Sequence, residues 1–558
     1  MDQLFTKSIK VTSILCAFIY LLFLVIYAII GIDGLGSIFH FNPDRLEFVE
    51  ITRAQPIKYS IVPRERVYYL LAGAILMIII SVFIFCKAHH LSLCIKNAAV
   101  FFTRYCSDTF KEIKGSKVKY LLLIPLGACI YYAYTVPITH DEATTYIHYV
   151  MCSIPNTMFG YTMPNNHILF SLIEHIFIKI PVLDLLFKFR LPSIIIALLT
   201  WIILYRFAKK YANDNTAITI VAIVSTTYMI LQYSFFARGY SFVILFCVLC
   251  LYAACNIIYN NNRLRDWTIF TVSGILGFYA MPSFLYPFFT INIFILCLNR
   301  KNITKQIKFN LYTVIGVILL YLPILIIMGY QSLAGNQFVK PLDRIYVISQ
   351  LFSFFNLGLH KIFAISPYIL IPVFTGAVIY SISRKRRKLT TLWLVCLVSP
   401  FIILTAHSVI PFHRTFVYYG FLLVFLTALS FKDLIKMIPL KILIVLLIGV
   451  QAGQIYQFHL RLNPLTKYYA EHEDVIEKVL VNNKSYFTND LYLYPNLLFE
   501  IDRHNINSTV DKSFVRTSAD SLERYDVVLL LSALDETRKR KPKYSIIDFR
   551  DEPINIYY

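Results

Sequence analysis

Charged residues are scarce in this sequence of 558 residues. They make up 15% of it, whereas apolar residues make up 58% and the mean hydropathy is +0.62. This composition excludes an ordinary soluble protein and is typical of a chain that crosses a membrane many times. The net charge of +21 would suit a nucleic-acid partner. However, the basic residues lie in short clusters between long apolar runs, which indicates membrane topology and argues against nucleic-acid binding.

Several familiar motifs are also missing. The sequence has no glycine-rich Walker loop and no Asp-x-Asp pair, so neither ATP nor a nucleotide sugar has an obvious site. All cysteines except Cys152 lie in or beside apolar runs or basic loops, which gives no readable disulfide framework. There is no internal repeat of fixed period, so a solenoid is not indicated.

Thirteen apolar stretches are candidate spanning helices, on the basis that a bilayer requires about 20 mainly apolar residues. They lie near residues 11–32, 67–86, 119–136, 191–208, 216–235, 240–258, 267–281, 283–298, 310–328, 364–382, 390–406, 415–431 and 440–457. The first has no small-residue cleavage site, so we expect a retained span rather than a signal peptide.

The basic clusters predict a cytoplasmic amino terminus. The loops then placed inside carry most of the Lys and Arg residues, as the positive-inside rule requires. They include 87–118, 209–215, 259–266, 299–309, 383–389 and 432–439. This assignment depends on splitting 267–298 into two helices at Met281-Pro282. The short apolar segment 164–180 is predicted to lie along the outer interface.

The fold class that we predict is an all-α polytopic membrane protein with a small extracytoplasmic α/β domain at the carboxyl end. We expect three regions: 1–118 with two spans and a linker, 119–459 as the catalytic membrane domain, and 460–558 as the soluble domain. In the last region Ser485–Thr488 and Asp526–Leu531 are predicted strands, and Glu471–Val481 a predicted helix.

Unusual polar residues collect on the side of the membrane that this topology places outside. They occur in five segments: Thr139–Tyr146, Met163–His167, Arg190–Ser193, Ala237–Tyr240 and Pro411–Arg414. Ionisable groups at membrane depth are costly, so they indicate a functional site. Such arginines can also be anchors that reach lipid headgroups, which is the alternative interpretation.

These groups suit the transfer of a sugar from a phosphate-linked lipid to a hydroxyl. A carboxylate, Asp141 or Glu142, would accept the proton of the attacking hydroxyl. Neighbouring residues on a helix point in different directions, so one acid would face the reacting centre and the other would orient a neighbour; we favour Asp141 as the base. Arg238 and Arg414 are the first candidates to hold the departing phosphate.

From about Lys119 to the end, the sequence resembles the GT-C glycosyltransferases, close to the protein O-mannosyltransferase and lipid A aminoarabinose transferase group. The most specific residues are Asp141-Glu142 in the first large outer loop. The resemblance implies a catalytic acidic residue there, a polyprenyl-phosphate sugar donor, inversion of the anomeric centre and an outer soluble domain.

Four other segments also resemble the GT-C superfamily. Asn165-Asn166-His167 looks like the Asn-His-Pro stretch of that superfamily, with Ile168 in place of proline. Arg190-Leu-Pro-Ser193, Arg238-Gly-Tyr240 and Pro411-Phe-His-Arg414 also look like positions of that superfamily.

The resemblance completes the predicted site. Phosphate binding is assigned to Arg238, Arg414 and Arg190, and substrate binding to His140, Asn166, His167, Tyr240 and His413. The sequence assigns no cofactor, and a divalent cation at Asp141 or Glu142 stays an open alternative. The spacing of nearby histidines is not diagnostic of a metal site.

Two other functions remain in view: a polysaccharide polymerase or ligase, and a lipid or solute transporter. A transporter usually has related halves and ionisable residues near the midplane, a pattern that this sequence lacks. The sugar is not identified, and the acceptor is a lipid, a glycan or a protein. The resemblance implies the plasma membrane as the location, with the endoplasmic reticulum as the alternative and membrane lipids as neighbours.

Overall fold

The computed structural model describes residues 2–38, 67–116, 118–152, 154–161, 165–259, 262–334, 340–480, 484–488, 493–512, 526–531, 544–547 and 553–557. Residues 39–66, between the first two predicted spans, lie outside these ranges. The described part is mainly helical. Its helices are α1 Asp2–Ile38, α2 Val67–Gly115, α3 Val118–Thr135, α4 His140–Thr145, α5 Ile154–Phe159, α6 Ile168–Phe177, α7 Leu185–Tyr211, α8 Asp214–Thr226, α9 Tyr228–Phe235, α10 Tyr240–Tyr259, α11 Leu264–Ala280, α12 Leu285–Leu298, α13 Ile303–Ile327, α14 Tyr330–Ala334, α15 Arg344–Phe363, α16 Pro367–Ser383, α17 Arg387–His407, α18 Tyr418–Ser430, α19 Lys432–Met437, α20 Leu440–Val479 and α21 Leu493–Arg503.

The protein is a polytopic helical membrane protein. Within the described ranges, eight helices are long and apolar enough to cross a membrane, and up to ten if each of two bent pairs is one span. The bent pairs are α8 with α9, at 68°, and α15 with α16, at 95°. The predicted total of thirteen stays a prediction, because α11, α12 and α18 have only 17, 14 and 13 residues.

The predicted break at Met281-Pro282 is confirmed. Helix α11 ends at Ala280, Met281 is extended, and a short 3₁₀ turn, Pro282–Phe284, leads into α12. Proline has no backbone N–H and cannot continue the hydrogen-bond ladder, so α11 ends before Pro282. Helix α6 lies inside the predicted interfacial segment; its 10 residues make it about 15 Å long, too short to cross a bilayer.

Two segments differ from the sequence prediction. Residues 87–115, expected to form a cytoplasmic loop, continue α2 as a helix. This extension packs on α7, because Arg206 donates to the Tyr105 carbonyl at 2.7 Å and to Thr109 Oγ1 at 2.9 Å. Helix α15 was not predicted; its mixed polar and apolar sequence hides it from a search for uniformly apolar runs.

The carboxyl-terminal region contains a five-stranded sheet in the order β2-β1-β3-β5-β4. Strand β1 pairs in parallel with β2 and β3, whereas β5 pairs antiparallel with β3 and β4. The strands are β1 Ser485–Thr488, β2 Thr509–Lys512, β3 Val527–Leu531, β4 Tyr544–Ile547 and β5 Pro553–Tyr557. Strands β1 and β3 lie where the sequence predicted them. The predicted helix 471–481 is the end of α20, which runs without interruption through the expected boundary at 459–460.

Helix α21 connects this sheet to the membrane helices. Its residues Leu497 and Ile501 are fully buried in the core beside the sheet. On its other side the Phe499 ring contacts Tyr146 edge-on, with 5.0 Å between centroids. Arg503 pairs with Asp184, the residue before α7, at 3.1 Å. The carboxyl-terminal region therefore packs next to α4, the helix that carries the predicted catalytic pair.

Candidate active site

Helix α4 begins immediately after α3 and is held by a capping box. Thr139 Oγ1 accepts a hydrogen bond from the Glu142 N–H at 3.4 Å, and Glu142 Oε2 accepts one from the Thr139 N–H at 3.0 Å. This reciprocal arrangement satisfies two backbone donors of the first turn. It also turns the two acids apart: Glu142 is fully buried, whereas the Asp141 side chain is 38% exposed.

Glu142 forms a buried ion pair with Arg190 of α7. Arg190 Nε donates to Oε1 at 2.9 Å and Nη2 donates to Oε2 at 2.7 Å, and both side chains are completely buried. The N–H of Ala237 adds a third bond, to Oε1, at 2.8 Å. Burial acts to raise the pKa of Glu142, but the charge and hydrogen bonds of Arg190 outweigh it and hold the pKa below its usual range.

The guanidinium of Arg190 has no N–H left for a ligand. Besides its two bonds to Glu142, it donates to the carbonyls of Ala133 at 3.2 Å, Val136 at 2.6 Å and Pro137 at 3.0 Å. These five bonds use all five N–H donors of the side chain. The phosphate-binding role predicted for Arg190 is therefore corrected: this arginine ties the end of α3 to α4 and α7.

Asp141 faces two arginines from distant parts of the chain. Arg414 Nη1 donates to Asp141 Oδ2 at 2.9 Å, and Arg238 Nη2 lies 3.7 Å from the same oxygen. Burial acts to raise the pKa of Asp141, but the charges of Arg238 and Arg414 outweigh it, so the pKa lies below its usual range. One carboxylate between two guanidinium groups leaves a local charge of about +1, which favours an anionic ligand.

Arg238 differs from Arg414 in what else it holds. Its side chain is 3% exposed, whereas that of Arg414 is 33% exposed. Arg238 Nη1 donates to the backbone carbonyl of Asp141 at 3.0 Å, to Thr145 Oγ1 at 2.9 Å and to Asn165 Oδ1. Arg238 therefore supports the backbone of α4, while Arg414 reaches the Asp141 carboxylate from the accessible side.

His167 is buried beside Arg238. Its Nδ1 accepts a hydrogen bond from the Gly239 N–H at 2.7 Å, and the Tyr240 ring lies edge-on to it at 5.3 Å. Burial, with the charges of Arg238 and Arg414, holds the pKa of His167 well below its usual value. The neutral ring therefore carries its proton on Nε2. A Cβ at Gly239 would lie 2.9 Å from the His167 Cβ, so glycine permits this approach.

Asn166 points away from Asp141. Its Nδ2 donates to the carbonyls of Thr157 at 2.9 Å and Gly160 at 2.7 Å, and its Oδ1 accepts from Ser171. These bonds bind the loop after α5 to the start of α6. The preceding residue, Asn165, is the one that joins the Asp141 and Arg238 cluster, donating to the Asp141 carbonyl at 3.0 Å.

The two remaining predicted histidines flank the cluster. His140 Nε2 lies 3.3 Å from Thr144 Oγ1 on the same helix. The ring of His413, the residue before Arg414, stacks on Phe354 with centroids 4.6 Å apart and lines a cavity of about 360 Å³. Other walls of the cavity are apolar side chains of α15 to α18 and the turn before α18, among them Phe355, Ile362, Phe374, Trp393, Phe401 and Phe416.

The carboxylates of Asp141 and Glu142 do not fit the divalent cation that the sequence analysis kept as an alternative. Glu142 already accepts bonds from Arg190, Thr139 and Ala237, and Asp141 faces two positive charges. Among the described residues no group of three or more His, Cys, Asp or Glu side chains could hold a metal ion. The guanidinium groups of Arg238 and Arg414 lie 3.7 and 2.9 Å from Asp141 Oδ2, so this carboxylate already has positive partners.

The polar segments predicted from the sequence contain three further contributors that were given no role: Thr139, Ala237 through its N–H, and Asn165. The Thr139-x-x-Glu142 spacing is a capping-box pattern, so Thr139 was detectable from the sequence. The backbone N–H of Ala237 carries no side-chain signal. Asn165 and Asn166 are adjacent and chemically identical, and only the path of the backbone decides which one reaches Arg238.

Comparisons with known proteins concern the family and the fold. The family model for dolichyl-phosphate-mannose-protein mannosyltransferase matches residues 167–327. ArnT from Cupriavidus metallidurans in the apo state has a TM-score of 0.52 and 9% identity, over 79% of this chain and 97% of ArnT. ArnT bound to undecaprenyl phosphate has a TM-score of 0.52 and 10% identity, over 79% and 98%. No curated protein matches the sequence. At such low identity, the structural likeness establishes the fold.

Proposed function

Because this chain has the fold of the GT-C superfamily of membrane glycosyltransferases, we propose that it moves a sugar from a polyprenyl-phosphate donor to an acceptor hydroxyl at the outer face. The observation that carries the proposal is the cluster of one accessible carboxylate, Asp141, with Arg414 and Arg238. The ArnT structure bound to undecaprenyl phosphate supports a lipid-phosphate donor.

In the proposed reaction Asp141 is the general base. Its side chain is the accessible carboxylate of α4, while Glu142 is buried and fully bonded. The oxygen of the acceptor hydroxyl attacks the anomeric carbon and its proton passes to Asp141. The bond between the anomeric carbon and the phosphate oxygen breaks, and polyprenyl phosphate leaves with the electron pair.

The arginines bind the leaving group. Negative charge grows on the phosphate as the glycosidic bond breaks, and guanidinium groups stabilise that charge best where water is scarce. Arg414 reaches the site from the accessible side, and Arg238 is already fixed by three hydrogen bonds. Glu142 and Arg190 serve as positioning residues that keep α4 in place.

The same arrangement favours inversion of the sugar. A retaining reaction through a covalent intermediate uses a second reactive carboxylate as nucleophile. Here the other carboxylate of α4, on Glu142, is held by Arg190 and has no exposed surface. With Asp141 as base and no second reactive carboxylate on α4, the acceptor displaces the phosphate directly.

The apolar cavity beside His413 is our candidate for the start of the donor lipid chain. His413, the neighbour of Arg414 in sequence, lines this cavity, so a phosphate held by Arg414 would have its first isoprene units near apolar walls. Neutral His167, with its Nε2–H, and the Tyr240 ring stay candidates for sugar contacts. His140, Asn166 and His413 stay proposed contributors to substrate binding, Asn166 through the loop that it holds.

We expect Arg414→Gln to lower kcat by about 10²–10³-fold, the range seen when one donor to a developing oxyanion is removed. Arg414→Lys should recover part of this loss, since it keeps the charge but not the planar fork. Arg344→Gln is the matched control, because Arg344 is an exposed arginine at the start of α15, outside the cluster. Steady-state kinetics in nanodiscs would measure all three. Equal kinetics for Arg414→Gln and Arg344→Gln would contradict phosphate binding by Arg414.

The acid limb of the pH profile should lie at a different pH for kcat/KM than for kcat. In the free enzyme the charges of Arg238 and Arg414 hold the pKa of Asp141 low. A bound donor phosphate adds negative charge beside both arginines, which raises that pKa. The acid limb of kcat, which reports the complex, should therefore lie at higher pH than that of kcat/KM, which reports the free enzyme.

Arg414→Gln provides the check on this assignment. Loss of that charge should move the acid limb of kcat/KM upwards, towards the usual range of an aspartate. Full profiles with saturating acceptor, extended to pH values below the usual aspartate pKa of about 3.9 and up to pH 8, would show the shift. Coincident limbs in the wild type, or a limb that Arg414→Gln does not move, would contradict control of the base by these arginines.

The overall proposal is tested with purified protein in lipid nanodiscs. A panel of radiolabelled polyprenyl-phosphate hexoses and pentoses is incubated with a membrane extract as acceptor source, for the wild type and for Asp141→Asn. Label that enters product with the wild type alone supports the transferase and identifies the donor. Label transferred as a long polymer would favour a polymerase or ligase. Label that crosses the bilayer equally with both proteins would favour a transporter.

A further inference from the structure

A second cavity lies at the opposite ends of the helices that form the candidate active site. Helix α7 carries Arg190 near its start and Tyr211 at its end, and α10 runs from Tyr240 to Tyr259. Tyr211 and Tyr259 both line this cavity, whose volume is about 360 Å³. At 1.5 Å per residue it lies about 30 Å from the active site, the thickness of a bilayer core.

The interior of the cavity is apolar. Phe207, Phe294 and Phe425 line it and are at most 1% exposed, and the rings of Phe207 and Phe425 stack at 4.8 Å. Leu392 and Leu429 complete the apolar walls. Such walls suit the upper part of an acyl chain and offer nothing to a fully hydrated ion.

The rim of the cavity carries four basic residues, of which one is committed to the fold. Arg386 donates to the carbonyls of Leu429 at 2.8 Å and Ser430 at 2.6 Å and pairs with Asp433 at 2.5 Å. It thereby closes the end of α18. The remaining three are Arg387, Lys388 and Lys432.

These three cations have no carboxylate within salt-bridge distance in the described part of the chain. Lys388 instead lies over the Tyr259 ring, with Nζ 3.7 Å from its centroid. Arg387 and Lys388 also open α17, whose first turn has no acidic residue and no side-chain cap. The helix dipole therefore adds to the positive potential at the rim. The positive-inside rule accounts for basic residues on this face, but it does not require a cavity with aromatic walls.

We propose that this cavity, with Arg387, Lys388 and Lys432 at its rim, binds an anionic glycerophospholipid of the leaflet opposite the active site. The phosphate would contact the three cations and the upper acyl chain would enter between Phe207, Phe294 and Phe425. Basic pockets between spanning helices recognise anionic headgroups in this way. The bound lipid joins the ends of α7 and α10 to the start of α17.

The test is lipid binding by the full-length protein in detergent, followed by native mass spectrometry and by thermal unfolding. Phosphatidylglycerol is titrated into the wild type, into the rim variant Arg387→Gln/Lys388→Gln/Lys432→Gln, and into a control variant, Arg300→Gln/Lys301→Gln/Lys385→Gln. The control removes the same charge from exposed residues that do not line the cavity. We expect the half-saturating concentration to rise at least about tenfold in the rim variant and to stay within twofold of wild type in the control.

A separate variant tests the apolar interior without changing any charge. Leu429→Trp fills the cavity and should also weaken binding of phosphatidylglycerol, and phosphatidylcholine should bind weakly to every variant. Equal losses in the rim and control variants, or full affinity in Leu429→Trp, would overturn the site. Equal protection by inorganic phosphate, or displacement of the lipid by low concentrations of polyprenyl phosphate, would overturn the proposed occupant. None of these readouts depends on glycosyltransferase activity.

Discussion

Asp141→Asn is expected to lower kcat by about 10²–10⁴-fold while the protein still folds and inserts into membranes. The range is that of a positioned general base. Asparagine has nearly the same shape and can still accept the hydrogen bond that Arg414 donates to the carboxylate at 2.9 Å. It cannot take a proton from the acceptor hydroxyl. The loss should therefore appear in turnover, with little change in the apparent affinity for the donor.

Single-turnover measurements with a radiolabelled donor would separate these effects. Asp343→Asn is the matched control, because Asp343 caps α15 by accepting from the Tyr346 N–H at 2.8 Å and asparagine caps equally well. We expect wild-type rates from it. Rates within threefold of wild type for Asp141→Asn would show that Asp141 is not the base. Its ion pair with Arg414 would then have a structural role only.

Glu142→Gln is expected to destabilise the protein by about 3–5 kcal/mol, the cost of leaving one member of a buried ion pair without its partner. Arg190 is fully buried, so its charge cannot turn to water once the carboxylate is gone. Glutamine also replaces an acceptor by an N–H₂ group that faces the donors of Arg190 or Thr139. Titration with sodium dodecyl sulfate in mixed micelles would measure the change in the free energy of unfolding.

Two further variants test whether that loss of stability comes from the unpaired charge of Arg190. Glu112→Gln breaks a partly exposed pair with Lys209, at 2.7 Å, and should cost less than about 1 kcal/mol. Adding Arg190→Met to Glu142→Gln removes the orphaned charge and should recover part of the lost stability. A Glu142→Gln protein that keeps its full stability but loses turnover as strongly as Asp141→Asn would place Glu142 in the chemistry instead.

The importance of the buried pair comes from what it connects. Arg190 binds one carbonyl of α3, two carbonyls just after α3 and the Glu142 side chain of α4. The bond from the Ala237 N–H to Glu142 adds the turn before α10. Weakening these contacts between α3, α4 and the turn before α10 would move Asp141 relative to Arg238 and Arg414. A displacement of about 1 Å is enough to cost a reaction of this kind two orders of magnitude. Loss of activity in Arg190 variants is therefore expected without any contact between Arg190 and the substrate.

The sequence alone determined the class of the protein and most of its spanning helices. An apolar run of about 20 residues is expected to form a membrane helix. In lipid each unsatisfied backbone group is costly, and a helix satisfies these groups within the segment itself. The break at Met281-Pro282 could also be predicted from the sequence, since proline lacks the N–H that continues a helix and this effect does not depend on the rest of the fold. Helix α15 and the helical continuation of α2 were not, because their mixed sequences suit a loop or a helix equally until a neighbour packs against them.

The list of polar segments was also available from the sequence, but the role of each residue was not. Asp141 and Glu142 are adjacent acids, and Arg190 and Arg414 are the same residue type at the same predicted depth. Their roles differ because Glu142 and Arg190 meet inside the protein at 2.7 Å, while Asp141 meets Arg414, 273 positions away, where solvent enters. Residue type and spacing specify which side chains can do the chemistry. Burial and partner, which arise only when distant helices pack, decide which of them are free to do it.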